Sequence, residues 1–338
     1  MLCRPRGKTV RGNGAVLLFV ALAVAAPPAE LFVADREIAA DIPINGVPPI
    51  WGGGALLGVE SSEAKAPVLY VVDREGSREA FPFSIPESSL INILGIARAD
   101  DGTIALCGGS VEITRTTFIA ILPPDRKRQK VIKTWPYHAE QIALAADGTL
   151  WTAGTLTNGS NTRAPASNVL RRYDRSGKLQ ASWTVNAKAN AATEANTVDA
   201  SSAYLLASLD RVGWLSNSGE YLEYALDGQE LGRYPPPERV ISGPPGAGVS
   251  DQNAKPHVLD AALSRNNELV ICVFRAGKTP AWQLWRLDRQ ARMWSPATAE
   301  HAGYNSIAGF DGDDPIMLPA VGGAGRIQWL KRAVVPVP

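Results

Sequence analysis

Two short turn signatures recur in step along this 338-residue chain, and their spacing limits what it can fold into more than any single residue does. The first signature is a tight turn between two apolar runs, centred on Asp101, Asp147 and Asn266. The second is a hydrophobic run that ends in Asp followed by Arg or Gly: Asp73-Arg74, Asp125-Arg126, Asp174-Arg175, Asp227-Gly228 and Asp288-Arg289. Successive aspartates of the second set lie 52, 49, 53 and 61 residues apart. One unit of four antiparallel strands, repeated at that period, explains both signatures.

The period predicts an all-β fold, a six-bladed β-propeller with four-stranded antiparallel blades. Six units of about 52 residues fill the stretch from Ala26 to Pro338. The sixth unit offers only three strands, whereas Leu31–Ile38 is a spare extended stretch near the other end of the chain. We therefore expect this N-terminal strand to complete the last blade and close the ring. Closure would leave no open sheet edge at the join.

Two units fit the repeat less regularly than the others. The first strand of unit one, near Ile42–Ile50, is interrupted by proline. In unit four the segment ASSAY (200–204) stands where the Asp-Gly turn falls elsewhere. The predicted fourth strands share aromatic residues, namely Phe81, Phe83, Trp135, Trp183, Tyr234 and Trp294. We expect these rings to pack between neighbouring blades, with ligand stacking as the alternative.

Residues 1–25 have the features of a secretory signal peptide. They combine a basic start, an apolar run and a small-residue cleavage site: Arg4, Arg6, Lys8 and Arg11, then Gly14–Ala26, then Ala23-Val24-Ala25. The apolar run is shorter than the roughly 20 residues that a membrane span needs. The predicted organisation is a signal peptide over 1–25 and one propeller domain over 26–338, secreted or periplasmic. An uncleaved N-terminal anchor is the alternative.

The charge balance argues against two classes of partner. The chain has 34 basic and 33 acidic residues, and cleavage would remove four basic ones. The mature form would then have 30 basic and 33 acidic residues. Nucleic acids and anionic membranes bind surfaces with a large excess of Lys and Arg, and this balance shows no such excess. We expect no nucleic-acid partner, no membrane insertion after cleavage, and a monomer.

The two cysteines that follow the signal peptide are expected to be buried free thiols. Cys107 and Cys272 lie in second strands of units that are three blades apart. A disulfide needs Cα atoms within about 7 Å, which opposite blades of a ring do not provide. A free cysteine flanked by apolar residues behaves as a small hydrophobic side chain.

The predicted topology sorts the connections into two faces. First-to-second and third-to-fourth turns share one end of every blade, the tight-turn face, which carries both signatures. The other end, the loop-rich rim, carries the long connections Leu156–Ser167, Asn186–Ala195 and Pro235–Pro256. Long loops on a rigid scaffold often carry function, so we expect an unknown small molecule or protein to bind at this rim. Tolerated insertions are the alternative.

The three histidines, His138, His257 and His301, each lie just before the first strand of a unit. His138 and His257 each precede the central residue of a tight turn by nine positions. Because first strands line the channel, these imidazoles could converge there and hold a divalent metal such as Zn²⁺ with an open position for water. Nearby candidates for a further ligand or base are Glu140, Glu194, Tyr304 and Asn305. Histidines inherited by duplication, without a metal, are the alternative.

The hairpin AADGTLWTAG around Asp147 resembles those of secreted propellers of the NHL-repeat, gluconolactonase-like and streptogramin-lyase-like group. This resemblance extends over most of the chain and implies the six-bladed fold. Some members of that group hold a metal at channel-mouth histidines for lyase or hydrolase chemistry. Two functions therefore stay open. The first is an exported binding or interaction module that acts through its loop-rich rim. The alternative is a metal-dependent lyase or hydrolase.

Overall fold

The computed structural model describes residues 29–40, 42–43, 47–112, 115–157, 163–185, 204–216, 219–236, 257–275, 281–298, 301–302, 305–319 and 325–335. Within these ranges the chain forms 26 strands in six antiparallel sheets. No helix in these ranges is long and apolar enough to cross a membrane.

The first half of the described chain supplies strand β1, which belongs to blade 6, and the first three blades. Strand β1 is Ala29–Ala39. Blade 1 has β2 (Ile50–Gly52), β3 (Ala55–Val59), β5 (Val68–Val72) and β6 (Arg78–Pro82), with the short strand β4 (Glu63–Ala64) between β3 and β5. Blade 2 has β7 (Leu90–Arg98), β8 (Ile104–Val111), β9 (Arg115–Leu122) and β10 (Lys130–Lys133). Blade 3 has β11 (Tyr137–Leu144), β12 (Leu150–Thr157), β13 (Arg163–Tyr173) and β14 (Leu179–Val185).

The second half supplies the other three blades. Blade 4 has β15 (Tyr204–Ala207), β16 (Arg211–Leu215), β17 (Tyr221–Ala225) and β18 (Glu230–Tyr234). Blade 5 has β19 (His257–Leu263), β20 (Leu269–Arg275), β21 (Ala281–Asp288) and β22 (Met293–Pro296), and the short β23 (His301–Ala302) pairs with β21. Blade 6 has β24 (Asn305–Asp311), β25 (Asp314–Pro319), β26 (Arg326–Val335) and β1. The innermost strands contact one another in turn around a closed ring, so the predicted six-bladed propeller is confirmed.

The N-terminal strand closes the ring as predicted. β1 pairs antiparallel with β26 from Ala29 opposite Val335 to Ala39 opposite Arg326. The buried ring of Phe32 packs into a core cluster shared by blades 5 and 6. The backbone N–H of Phe32 also donates to the carbonyl of Ala297 in blade 5, at 2.6 Å. The closing strand therefore joins two blades as well as completing one sheet.

The first strand of blade 1 differs from its prediction. It covers only Ile50–Gly52, because the preceding Pro48 and Pro49 have no N–H to donate to a sheet. The short strand β4 instead pairs with the inner edge of β7, with Glu63 opposite Asn92. A connection of blade 1 thus covers part of an edge strand in blade 2.

The strand phase predicted for unit four was wrong. Its tight turn lies at Leu209-Asp210, where the N–H of Ser208 donates to the carbonyl of Arg211 at 2.9 Å. Tyr204–Ala207 is consequently the first strand of the blade, not the second. This two-residue turn contains no glycine, so the Asp-Gly pattern did not reveal it.

Most of the predicted aromatic packing between blades is present. Phe83, which follows blade 1, lies 5.9 Å from Phe118 of blade 2, and Trp183 of blade 3 lies against Gly228 of blade 4. Trp135 is an exception, since it follows β10 and is 47% exposed. Cys107 and Cys272 are buried free thiols, as predicted.

The Asp-Arg signature has two separate roles in the fold. Its aspartate stabilises the third-to-fourth turn by accepting backbone N–H groups; Asp73 Oδ1, for example, accepts from Ser77 N at 2.7 Å. In three of these turns the arginine reaches an acidic residue of the preceding blade. The pairs are Arg74 with Asp311, Arg126 with Glu79, and Arg289 with Glu223. The repeat seen in the sequence is therefore also a repeat of contacts between blades.

Candidate functional site

A cavity of about 880 Å³ lies at the centre of the ring and opens on the tight-turn face. Its lining comes mainly from the ends of the six innermost strands and from the turns that follow them. The outer strands and third-to-fourth turns of blades 2 and 3 add further residues, among them Arg128 and Arg175. We call this cavity the central funnel. It lies at the opposite end of the blades from the loop-rich rim, which the sequence favoured as the binding surface.

The wall of the funnel is mainly apolar. Five of the six innermost strands contribute a half-buried large apolar side chain: Ile50, Leu144, Leu206, Leu263 and Phe310. Leu209 lies in the tight turn of blade 4 and is 50% exposed. An apolar concave wall of this kind can bury a ligand's hydrocarbon surface.

The mouth of the funnel carries more positive than negative side chains. Among the described residues, five basic and two acidic ones line it: Arg98, Arg128, Lys130, Arg175 and Arg265, with Asp100 and Asp101. Such an excess in a concave site raises the local concentration of anions.

Backbone carbonyls orient several of these basic groups. Arg98 donates from Nη1 to the carbonyl of Gly53 at 2.7 Å, and Arg175 donates from Nε to the carbonyl of Asp147 at 2.6 Å. Burial, with the charge of Arg126 as a second cause, lowers the pKa of Arg98 below its ordinary value. The carbonyl contacts hold these guanidinium groups in place without neutralising their charge.

One ion pair crosses the funnel mouth. Arg265 Nη2, in the β19–β20 turn of blade 5, contacts Asp100 Oδ2 in the β7–β8 turn of blade 2. Blades 2 and 5 lie opposite each other in a ring of six, so this pair must span the opening. Both side chains are more than half exposed, at 57% and 55%. This site was not predicted from the sequence, although Asp100 and Arg265 each stand one position before a tight-turn centre and carry opposite charges.

The histidines lie away from this mouth. His138, on β11, is opposite Thr155, and its Nδ1 is 3.6 Å from Oε1 of the buried Glu140. His138 and His257 each lie two residues before a bulge in their inner strand, so their backbones occupy equivalent positions. The backbone of His301 lies in β23, opposite Trp282 in the third strand of blade 5.

The metal prediction is not tested by these positions. The side chains of His257, His301 and Asn305, and all of Glu194 and Tyr304, lie outside the described residues. Among the residues that are described, no three His, Cys, Asp or Glu side chains are grouped so that they could hold a metal ion.

The loop-rich rim also lies largely outside the described residues. The segments 158–162, 186–203 and 237–256 are not described. The predicted long connection Leu156–Ser167 is partly strand, since β12 continues to Thr157 and β13 begins at Arg163. Binding at this rim stays a prediction.

Comparison with known proteins supports the fold and does not indicate a family or a function. No family model matches the chain, and no curated protein matches it. Among solved structures, a luciferin-regenerating enzyme is similar with a TM-score of 0.51 and 12% identity, over 90% of this chain and 95% of that one. BamB from Moraxella catarrhalis matches with a TM-score of 0.42 and 8% identity, over 89% and 100%. A protein of unknown function from Bacteroides caccae matches with a TM-score of 0.40 and 10% identity, over 69% of each chain. The first of these likenesses is consistent with a propeller fold.

Proposed function

We propose that this protein is a binding module that takes a small molecule into its central funnel. The observation that carries the proposal is the cavity of about 880 Å³, whose apolar wall lies beneath a charged mouth. Its volume falls within the range of roughly 300–1,000 Å³ that is typical of small-molecule sites. Polar groups at the mouth would fix the ligand's orientation, while the wall would supply affinity by excluding water from apolar surface.

A neutral fluorescent probe, N-phenyl-1-naphthylamine, tests the proposal on the whole protein. Its emission rises when it enters an apolar site, so a titration gives its Kd. Leu209→Asp places a charge at the funnel mouth and should weaken probe binding about fivefold or more. Leu231→Asp is a matched control, because Leu231 is 47% exposed and lies on β18, away from the funnel. Equal probe affinity in the two variants, with both folded by circular dichroism, would overturn the proposal.

The loop-rich rim is our second candidate for the contact surface, for a small molecule or a protein. All the long connections that the sequence predicts fall at that end. The same titration separates the two surfaces. Probe binding that survives Leu209→Asp, but is lost when segment 237–256 is replaced by a short Gly-Ser linker, would place the site at the rim.

A metal-dependent lyase or hydrolase is the alternative function. The contact between His138 and the buried Glu140 supports it, because a carboxylate facing one ring nitrogen orients the other for a metal. The equivalent backbone position of His257 supports it further. Equilibrium dialysis with Zn²⁺ tests this function. We expect one bound ion in the wild type and none in His138→Ala or His257→Ala, and zinc binding that ignores both changes would sink it.

We propose that the protein is exported, with residues 1–25 as a cleaved signal. Expression in a bacterial host with a secretion system should give a mature chain that begins at Ala26. N-terminal sequencing of the purified protein reads this directly, and a chain that still begins at Met1 would contradict it.

A further inference from the structure

The ion pair across the funnel mouth is a charge contact at the entrance of the proposed site. Arg265 and Asp100 occupy equivalent positions in opposite blades, one residue before each tight-turn centre. Their side chains meet across the opening through which a ligand would enter the funnel. Because both side chains are more than half exposed, little burial stabilises the pair, and such pairs contribute little to stability. A competing charged group can therefore replace either partner at small cost.

We infer that Arg265 is the residue of the funnel that recognises an anion. Asp100 pairs with its guanidinium group in the free protein, and the ligand's anionic group replaces Asp100 when the ligand binds. The ligand would then be a small organic anion with an apolar body. This inference rests on the proposed function, since it names the class of molecule that the funnel binds. In the free protein, Asp100 would act as an internal substitute for the ligand's negative group.

The charges around the pair favour an anion over a cation as the ligand. A cation would have to displace Arg265 from Asp100 while facing Arg98 and Arg175, which outnumber Asp101, the other acidic residue of this mouth. An anion would displace Asp100 from Arg265 and face the same two guanidinium groups with favourable sign. Backbone carbonyls already orient both of these groups, so little side-chain entropy is lost when an anion arrives.

The depth of the funnel accounts for the apolar part of the ligand. Leu206 and Leu263 lie on neighbouring inner strands behind the mouth, and both are half-buried. A ligand whose anionic group contacts Arg265 would extend its remaining surface along this wall. Charge recognition at the funnel mouth and burial below it then select the same molecule.

Two probes with the same aromatic skeleton separate charge recognition from burial. N-phenyl-1-naphthylamine is neutral, and 8-anilinonaphthalene-1-sulfonate adds one sulfonate to that skeleton. In Arg265→Gln we expect the sulfonate probe to bind about tenfold more weakly, with the neutral probe changed less than twofold. In Asp100→Asn we expect the sulfonate probe to bind up to about fivefold more tightly, since its competitor is gone.

Matched variants control for net charge. Arg326→Gln and Asp35→Asn remove the same charges from exposed ion pairs with Glu37 and Lys331 in the outer strands of blade 6. Neither should change the affinity for either probe by more than twofold. The double variant Asp100→Asn/Arg265→Gln adds a sharper test, because the gain from Asp100→Asn should vanish once Arg265 is absent.

The outcomes distinguish the two proposals. If the neutral probe binds in the funnel but the sulfonate probe ignores Arg265→Gln, the anion inference is wrong and the binding module stands. If Asp100→Asn strengthens sulfonate binding equally with and without Arg265, Asp100 acts only by general repulsion and the inference is again wrong. If neither probe binds the wild type, both proposals fail together.

Discussion

Arg289, in the β21–β22 turn of blade 5, donates a hydrogen bond of 2.8 Å from Nε to Oε1 of Glu223 in β17 of blade 4. Glu223 is 1% exposed and also accepts from Arg211 in its own blade and from the hydroxyl of Tyr234. A buried carboxylate with several charged or polar donors compensates for its lost hydration. This cluster fixes blade 4 to blade 5 on the tight-turn face.

Glu223→Ala should therefore destabilise the protein strongly. It leaves Arg289 and Arg211 partly buried without their carboxylate, and breaking a buried pair typically costs about 3–5 kcal/mol. Urea unfolding followed by tryptophan fluorescence measures this. The control is Glu37→Ala, which removes an exposed pair with Arg326 and should cost less than about 1 kcal/mol. Similar costs for the two variants would contradict the buried cluster.

The buried Asp260 should make stability depend on pH. Burial raises its pKa from an ordinary value near 3.8 to about 7, although the hydroxyl of Ser306 donates to it. Within the described part of the chain, Tyr204 and Cys272 are the other titratable groups that face it. Between about pH 4 and pH 7 the folded protein keeps this proton and the unfolded chain releases it, so stability falls as the pH rises through that window.

Asp260→Asn tests that dependence, because asparagine keeps the shape and can still accept from Ser306. We expect the decline between about pH 4 and pH 7 to be much smaller in the variant, and the variant to be more stable than the wild type at about pH 8. The raised pKa of the half-buried Glu268 leaves a smaller decline in both proteins. Urea unfolding at several pH values gives the comparison. Asp35→Asn, at an exposed position, should retain the decline. A decline of the same size in Asp260→Asn would rule out this assignment.

The closing strand should contribute several kcal/mol through one side chain. Phe32 is 5% exposed in β1 and packs in the cluster shared by blades 5 and 6. Phe32→Ala should lower the free energy of unfolding by about 3–5 kcal/mol, the usual cost of removing a buried ring. Val334→Ala, on the paired strand β26 and 66% exposed, should change it little. Equal effects in thermal unfolding would show that ring closure does not depend on this packing.

The two buried thiols should be inert in the folded protein. Burial raises the pKa of Cys107 and of Cys272 far above the ordinary range, which suppresses the reactive thiolate. A disulfide reagent such as dithionitrobenzoate should not react with them in the native state and should react once the protein is unfolded in guanidinium. Rapid native reaction at either position would contradict their burial.

The sequence predicted the fold well because the signal repeats. Asp125 and Asp174 mark the same turn in consecutive blades, and their spacing gave the blade count before any strand was assigned. The errors arose where the chemistry of the turn differs. Leu209-Asp210 forms a turn without glycine, and Pro48-Pro49 shortens the first strand of blade 1.

The candidate site was harder to predict because it is assembled from all six blades. Asp100 and Arg265 are 165 residues apart and look like ordinary surface charges in their own turns. The lengths of the loops favoured the loop-rich rim, at the opposite end of the blades. The available signal was opposite charge at equivalent positions of opposite blades. It can be recognised only after each turn has been assigned to its blade and the blades have been placed in order around the ring.

The pairing of β1 with β26 also has a consequence for the order in which the chain is made. Glu37 and Arg326 are in contact but lie 289 residues apart, so a ribosome makes β26 long after β1. Five blades can form from neighbouring segments while blade 6 still lacks its outer half. A chain truncated before β26 would still contain the strands of blades 1 to 5 but could not close the ring.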